Sequence, residues 1–323
     1  DDTTHSIYQA QFIENANVSE SAETNTNESF EVYDEWDYQK NRYKPSFCKI
    51  YPSKMEGLDI DYYTNTLFKN QTTLVGLRKI LTSINNRMQQ QRRQKQGAEF
   101  DLDALTDRYI DIHSKHNPSE NIYIDNRKTE KDLSITLLLD ISLSADGYAA
   151  GNRVIDVEKE VSILFGEILN EYNIDFSISC FHSKTRNYNS FVDLKSFDDK
   201  WDQAKHVIGL AQPAGYTRIG VAIRHAGAIL ASRPSKKKWL ILLSDGKPND
   251  YDKYEGKYGI QDVKQALREL NERDVNSYAL AIEAQAKYYL PQMFGQNHYQ
   301  ILTTPVELLS SMVKLYSKIK FNG

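Results

Sequence analysis

The sequence predicts an α/β protein: a doubly wound, mostly parallel sheet with helices on both faces, preceded by an N-terminal helical extension. Three observations lead there. Short continuous apolar runs at 135–139 and 239–243 are strands buried on both faces, as parallel sheets require. Segments of helical period, such as 154–172, alternate with those runs from residue 132 onward. Polar residues also cluster just where the apolar runs stop, which is where open α/β sheets place their ligands.

The 323 residues suffice for one large domain and an extension. The balance of 40 basic and 44 acidic side chains gives a net charge of −4, which calls for neither nucleic acid nor an anionic membrane. No run approaches the ~18 apolar residues that would span a bilayer, so direct membrane insertion is not expected. The two cysteines, Cys48 and Cys180, form neither a disulfide framework nor a CxxC pair. Such sparing use fits a reducing, cytoplasmic compartment.

Residues 1–30 are rich in Ser, Asn, Thr and Glu and too poor in apolar groups to offset ordering entropy, so a mobile polar segment is expected. Residues 31–131 form the extension. Its aromatic cluster of Tyr33, Trp36, Tyr38, Tyr43 and Phe47 is expected to pack onto the main domain. A helix over 72–94 carries Leu74, Leu77, Leu81, Ile84 and Met88 on one face and ends in a basic, Gln-rich tail that needs no partner. An acidic helix over 101–112 turns Leu102, Leu105, Tyr109 and Ile112 inward.

From 132 to 323 the α/β domain begins. Strands are expected at 135–139, 175–181, 188–194, 239–243, 277–282 and 299–302. Helices are expected at 154–172, 197–210, 219–231, 260–273 and 305–318.

Three polar sets stand at the ends of these units: Asp140, Ser142 and Ser144 in DISLS; Thr217 in GYTRIG; and Asp245 in LLSDG. Three hydroxyls and two carboxylates are an all-oxygen donor set, suited to Mg²⁺, with Mn²⁺ or Ca²⁺ as substitutes, and not to Zn²⁺. If the strands at 135 and 239 are neighbours, Asp140 and Asp245 emerge side by side. Ser142 and Ser144 then alternate along an extended exit and face one point. Such a set leaves room for water or an outside ligand. The loop after Asp245 reads as a rim for a partner, with Asn249, Asp250, Tyr251, Asp252, Tyr254 and Tyr258, and Tyr216 beside Thr217, available for contact. It is not a calcium loop, since the twelfth position from Asp250 is Gln261 rather than Glu.

In this order and context, residues 132–320 resemble a von Willebrand factor A domain. Asp140, Ser142, Ser144, Thr217 and Asp245 match all five positions of that family's metal-ion-dependent adhesion site. The resemblance implies hydroxyls bound to Mg²⁺ and a partner's acidic side chain completing the shell. The insertion at 146–152 is longer than in adhesion members. YDEWD at 33–37, GNRVID at 151–156, GYTR at 215–218, SDGKPNDYD at 244–252, YEGKYGI at 254–260 and YLPQMFG at 289–295 resemble a narrower group, the nitric-oxide-reductase activation protein D (NorD) family. That resemblance implies a MoxR-type AAA+ ATPase ring as partner and a target metalloenzyme. The target would be nitric oxide reductase, helped through non-haem iron insertion. The rubisco-activating CbbO proteins share the domain type and stay in view, as does an extracellular adhesion module.

No GxxxxGK[ST] sequence occurs, so any ATP-driven step would come from a partner. His182 and His225 are isolated, and no GxSxG elbow is present. The expectation is a non-catalytic adaptor.

Overall fold

A computed structural model describes residues 29–97, 99–126, 132–149, 151–244, 247–282 and 284–302, with scattered residues of the last segment. The expected mobile segment falls almost wholly on 1–28, outside the described residues, as does most of the helix expected at 305–318.

The extension opens with β1 (Glu31–Asp37) and β2 (Arg42–Lys54), then α1 (Ile60–Lys69), α2 (Gln71–Gln89), β3 (Gln90–Gln94), β4 (Glu99–Phe100), α3 (Leu102–His113) and β5 (Tyr123–Asn126). The α/β part runs β6 (Leu133–Asp140), β7 (Tyr148–Ala149), β8 (Asn152–Arg153), α4 (Val154–Glu171), β9 (Asp175–Thr185), β10 (Tyr188–Lys195) and α5 (Trp201–Ala204). It continues with α6 (Ile219–Ala231), β11 (Lys237–Ser244), β12 (Asn249–Asp250), β13 (Tyr254–Glu255), α7 (Gly256–Asn271), β14 (Val275–Ala281), α8 (Leu290–Phe294) and β15 (Tyr299–Ile301).

One eight-stranded sheet, in the order β1-β2-β10-β9-β6-β11-β14-β15, forms the centre. Strands β9, β6, β11, β14 and β15 are mutually parallel, whereas β10 runs antiparallel to β9. Alternation along β6 divides the core. Ile135, Leu137 and Leu139 face a layer containing Val161, Leu164 and Ile168 of α4. Leu138 faces the opposite layer, with Ile223 and Leu230 of α6 and Val263 and Leu267 of α7. This is the predicted doubly wound architecture.

The extension is less helical than expected. Its first 24 residues past position 30 hold a hairpin that joins the main sheet, with β2 pairing parallel to β10 from Asn189↔Ile50 to Asp193↔Lys54. Helix α2 stops at Gln89, and the Gln-rich tail becomes β3 in a small sheet with β5 and β4. That tail has partners: Arg92 pairs with Asp103 at 2.6 Å and Arg93 with Asp107 at 2.9 Å. Helix α3 does not turn its apolar stripe inward, since Leu102, Tyr109 and Ile112 are exposed and Ala104 is its buried residue. Leu74 and Leu77 of α2 are buried as expected.

The helix expected over 197–210 is instead α5 and a 3₁₀ turn at Ile208–Leu210. Tertiary contacts claim its carbonyls: the Asp59 amide bonds His206 O at 2.7 Å and Lys159 Nζ bonds Gly209 O at 2.9 Å. Among the described residues no helix is long and apolar enough to cross a membrane.

Candidate metal centre

Strands β6 and β11 are neighbours, in register from Lys237↔Leu133 to Leu243↔Leu139. Their carboxyl ends therefore open together at the reversal point of the sheet, where β6 leads over α4 to β9 on one side and β11 leads over α7 to β14 on the other. Asp140 is the last residue of β6 and is buried. Its Oδ2 accepts from Ser244 Oγ at 2.7 Å and its Oδ1 from the Ser142 amide at 3.1 Å, so the carboxylate is held in one pose by both strand ends.

The exit from β6 is not extended throughout. A 3₁₀ turn begins at Leu143, right after extended Ser142, and this turn carries Ser144 back over Ser142. Their Oγ atoms lie 2.8 Å apart. Ser142 is buried and Ser144 exposed, so the pair opens toward solvent. The insertion after it folds as the β7–β8 hairpin and leaves Tyr148 exposed.

The loop bearing Thr217 is laced to the same edge. Ala214 N donates to Ile141 O at 2.7 Å, Leu143 N to Gly215 O at 3.0 Å, and Tyr216 N to Ser183 O at 2.6 Å. Thr217 and Asn249 exchange both backbone bonds, at 2.8 and 3.0 Å. Gly215 has a φ of +63°, and a Cβ there would lie 2.2 Å from Ser183 O, so only glycine passes. Thr217 is buried, two residues past the rung that flanks Ser142. Beside Gly215 stands His182, whose buried Nδ1 has no hydrogen-bond partner among the described residues. Burial and then Lys184 hold its pKa below the usual imidazole value, so it stays neutral near the site at pH 7.

Asp140, Ser142 and Ser144 are thus brought together, and Thr217 is brought to the same edge. Asp245 lies outside the described residues. Among the described residues no three His, Cys, Asp or Glu are grouped to hold a metal ion. The donors here are hydroxyls and a preset carboxylate. Paired hydroxyls beside a buried carboxylate suit a hard divalent cation and leave softer metals without a thiolate or imidazole set.

The rim is smaller than expected. Tyr216 and Tyr251 are half-buried with hydroxyls 3.3 Å apart, and Asn249 and Asp252 are exposed. Asp250 and Tyr254 are buried, and so are not contact residues. Both belong to an ionic cluster that sequence reading missed, centred on Arg218, whose side chain is fully buried. The guanidinium pairs with Glu35, bonds Asp250 at 2.8 Å and Tyr251 O at 2.9 Å, and lies 4.4 Å over the Tyr254 ring. Burial disfavours its charge, but Asp250 and Glu35 outweigh that and raise its pKa above the ordinary arginine value. The available signal was an Arg directly after Thr217, with acids at 35 and 250 whose partner no spacing rule reveals.

A von Willebrand factor type A domain profile matches residues 134–312. The chain belongs to that family. The von Willebrand factor type A domain here is also similar, together with its extension, to curated relatives. Protein NorD of Brucella abortus (strain 2308) is 33% identical over 290 residues, covering 88% of this chain and 45% of the relative. Protein NorD of Stutzerimonas stutzeri is 32% identical over 276 residues, covering 84% and 44%. The chain spans about half the length of the curated relatives it matches. Among solved structures, the PilB minor pilin from Streptococcus sanguinis is similar at a TM-score of 0.46 and 14% identity, over 63% of this chain and 66% of the pilin.

Proposed function

We propose that this von Willebrand factor type A domain is a non-catalytic, Mg²⁺-dependent adaptor. Asp140, Ser142, Ser144, Thr217 and Asp245 would hold the cation, with Mn²⁺ or Ca²⁺ as substitutes. The bound cation would supply an electrostatic anchor for an acidic side chain of a partner. The residues of this chain do the rest: Ser244 and the Ser142 amide fix the Asp140 carboxylate, Gly215 lets the Thr217 loop approach, and Ser144 faces outward where a partner arrives. The observation that carries the reading is the Ser142–Ser144 hydroxyl pair beside buried Asp140 at the shared carboxyl end of β6 and β11.

Likeness to the NorD proteins supports a proposed biological setting. The adaptor would couple a MoxR-type AAA+ ATPase ring to activation of a metalloenzyme, nitric oxide reductase, through non-haem iron insertion. The sequence has no phosphate-binding loop of the Walker type, which supports leaving ATP hydrolysis to the ring.

The test is capture of the genome-neighbour AAA+ ATPase by this chain in Mg²⁺ and in EDTA, with Asp140→Ala alongside. Capture that needs both metal and Asp140 is the expected outcome. Capture indifferent to both would detach the metal site from the ring, and no capture would remove the coupling altogether.

A further inference from the structure

The motif YDEWD at 33–37 lies far in sequence from the metal centre, yet its residues shape the hairpin and dock it beside that centre. Asp37 Oδ1 accepts from the amides of Gln39 and Lys40 and shapes the turn between β1 and β2. Asp34 Oδ1 accepts from the Ser46 amide at 2.8 Å, where Ser46 is held at a φ of +48°. Tyr33 Oη lies 3.0 Å from His225 Nδ1 on α6. The Trp36 amide donates to Asp262 Oδ1 on α7 at 2.9 Å. Asp262 in turn accepts from Tyr254 Oη at 2.7 Å and pairs with Arg224 at 2.8 Å. Tyr254 Oη itself accepts from the Gly220 amide, in the first turn of α6. These contacts dock the hairpin on the two helices beside the Thr217 loop.

Glu35 makes the direct link. One carboxylate oxygen accepts from Tyr258 Oη at 2.8 Å, and the other meets Arg218 and the Cys48 thiol. Arg218 follows Thr217 in the chain, and its other partners, Asp250 and Tyr251 O, follow Asn249. The Thr217–Asn249 rung is thus bracketed by one guanidinium whose third anchor comes from another part of the molecule. Buried charges hold such geometry tightly, because any slack leaves a desolvated ion without its counter-ion.

We infer that Glu35 and Arg218 are positioning residues of the metal centre, and that the hairpin at 31–54 is part of that centre rather than an appendage. This rests on the metal reading of Asp140, Ser142, Ser144 and Thr217 given above. Docking of the hairpin fixes the Thr217–Asn249 rung, and a force that lifts the hairpin loosens the cation.

The test uses Mn²⁺ as probe, read by electron paramagnetic resonance, together with amide hydrogen exchange, on the whole chain. Glu35→Gln keeps the shape and removes the charge. It is expected to weaken Mn²⁺ binding by about 10- to 100-fold, the range seen when residues supporting metal ligands are changed. It should also speed exchange at the Thr217 and Asn249 amides while leaving Ala279 in β14 unchanged. Lys54→Ala, on the same hairpin but in an exposed pair with Asp199, should alter neither reading. Should Glu35→Gln fail to fold, Tyr258→Phe removes a single bond to Glu35 and should give the same changes in smaller measure. Unaltered affinity and unaltered exchange in a folded variant would overturn the inference. If the unmodified chain binds no Mn²⁺, the metal reading falls, and the exchange arm still decides the positioning on its own.

Discussion

The two halves of the extension meet the α/β domain in opposite ways. Residues 31–54 add two strands to the main sheet and send a glutamate, 2% exposed, to a buried arginine. Residues 90–94 and 99–126 build a small separate sheet and a helix whose Leu102 is 75% exposed and Tyr109 64% exposed. The hairpin carries the larger share of charged side chains and is the more deeply integrated of the two. Integration here follows from satisfied backbone edges and paired charges. An apolar stripe marks the face that prefers burial, but burial also needs a surface within reach.

The largest way to break this contrast is at Arg218. Arg218→Met leaves Glu35 and Asp250 buried without a counter-ion, and urea unfolding should show a loss of about 3–5 kcal/mol. Adding Glu35→Met and Asp250→Leu to that change should recover much of it, because a neutral cluster of similar volume carries no desolvation cost. Failure to recover would mean that the cluster stabilises through packing and not through charge. Next comes Leu77→Ala in α2, at a fully buried position, expected to cost about 2–5 kcal/mol by the same assay.

Thiol reactivity sharpens the comparison at smaller scale. Burial raises the Cys48 thiol pKa well above its usual value against the pull of Arg218, and burial pushes Cys180 up to about 12. At pH 8 both are therefore protonated thiols and should resist alkylation in the native chain. In Arg218→Met, Cys48 should react well before Cys180, because the hairpin opens while the sheet centre stays closed. Equal rates would show that the hairpin unfolds only with the whole domain. The smallest effect belongs to the other half: Leu102→Ser with Tyr109→Ser should change stability by no more than about 0.5 kcal/mol per site, as surface changes do.

The same contrast explains what could be read in advance. Strands at 133–140 and 237–244 are legible because burial on both faces demands unbroken apolar runs, and α6 because its period and its end at Ala231 coincide. The convergence of Asp140, Ser142 and Ser144 is legible because all three stand at the exit of one strand beside the reversal point of the sheet. The hairpin at 31–54 was hidden by its charges: Glu35 and Asp37 read as solvated until Arg218 and the turn amides are in place. The helix expected at 197–210 failed for a related reason, since its carbonyls bond Asp59 N and Lys159 Nζ, which lie far away in sequence. The rim over-reached at Asp250 and Tyr254, where a carboxylate and a phenol serve the interior instead of a partner. Long-range pairing of polar groups leaves no periodic trace, and it decided every one of these differences.

The most direct test of the metal site is a Mn²⁺ titration of the whole chain against Asp140→Ala, read by electron paramagnetic resonance and competed with Mg²⁺. One site per chain, displaced by Mg²⁺ and lost in the variant without loss of fold, is the result expected from the hydroxyl pair and its fixed carboxylate. Equal binding in both chains, or none in either, would contradict it.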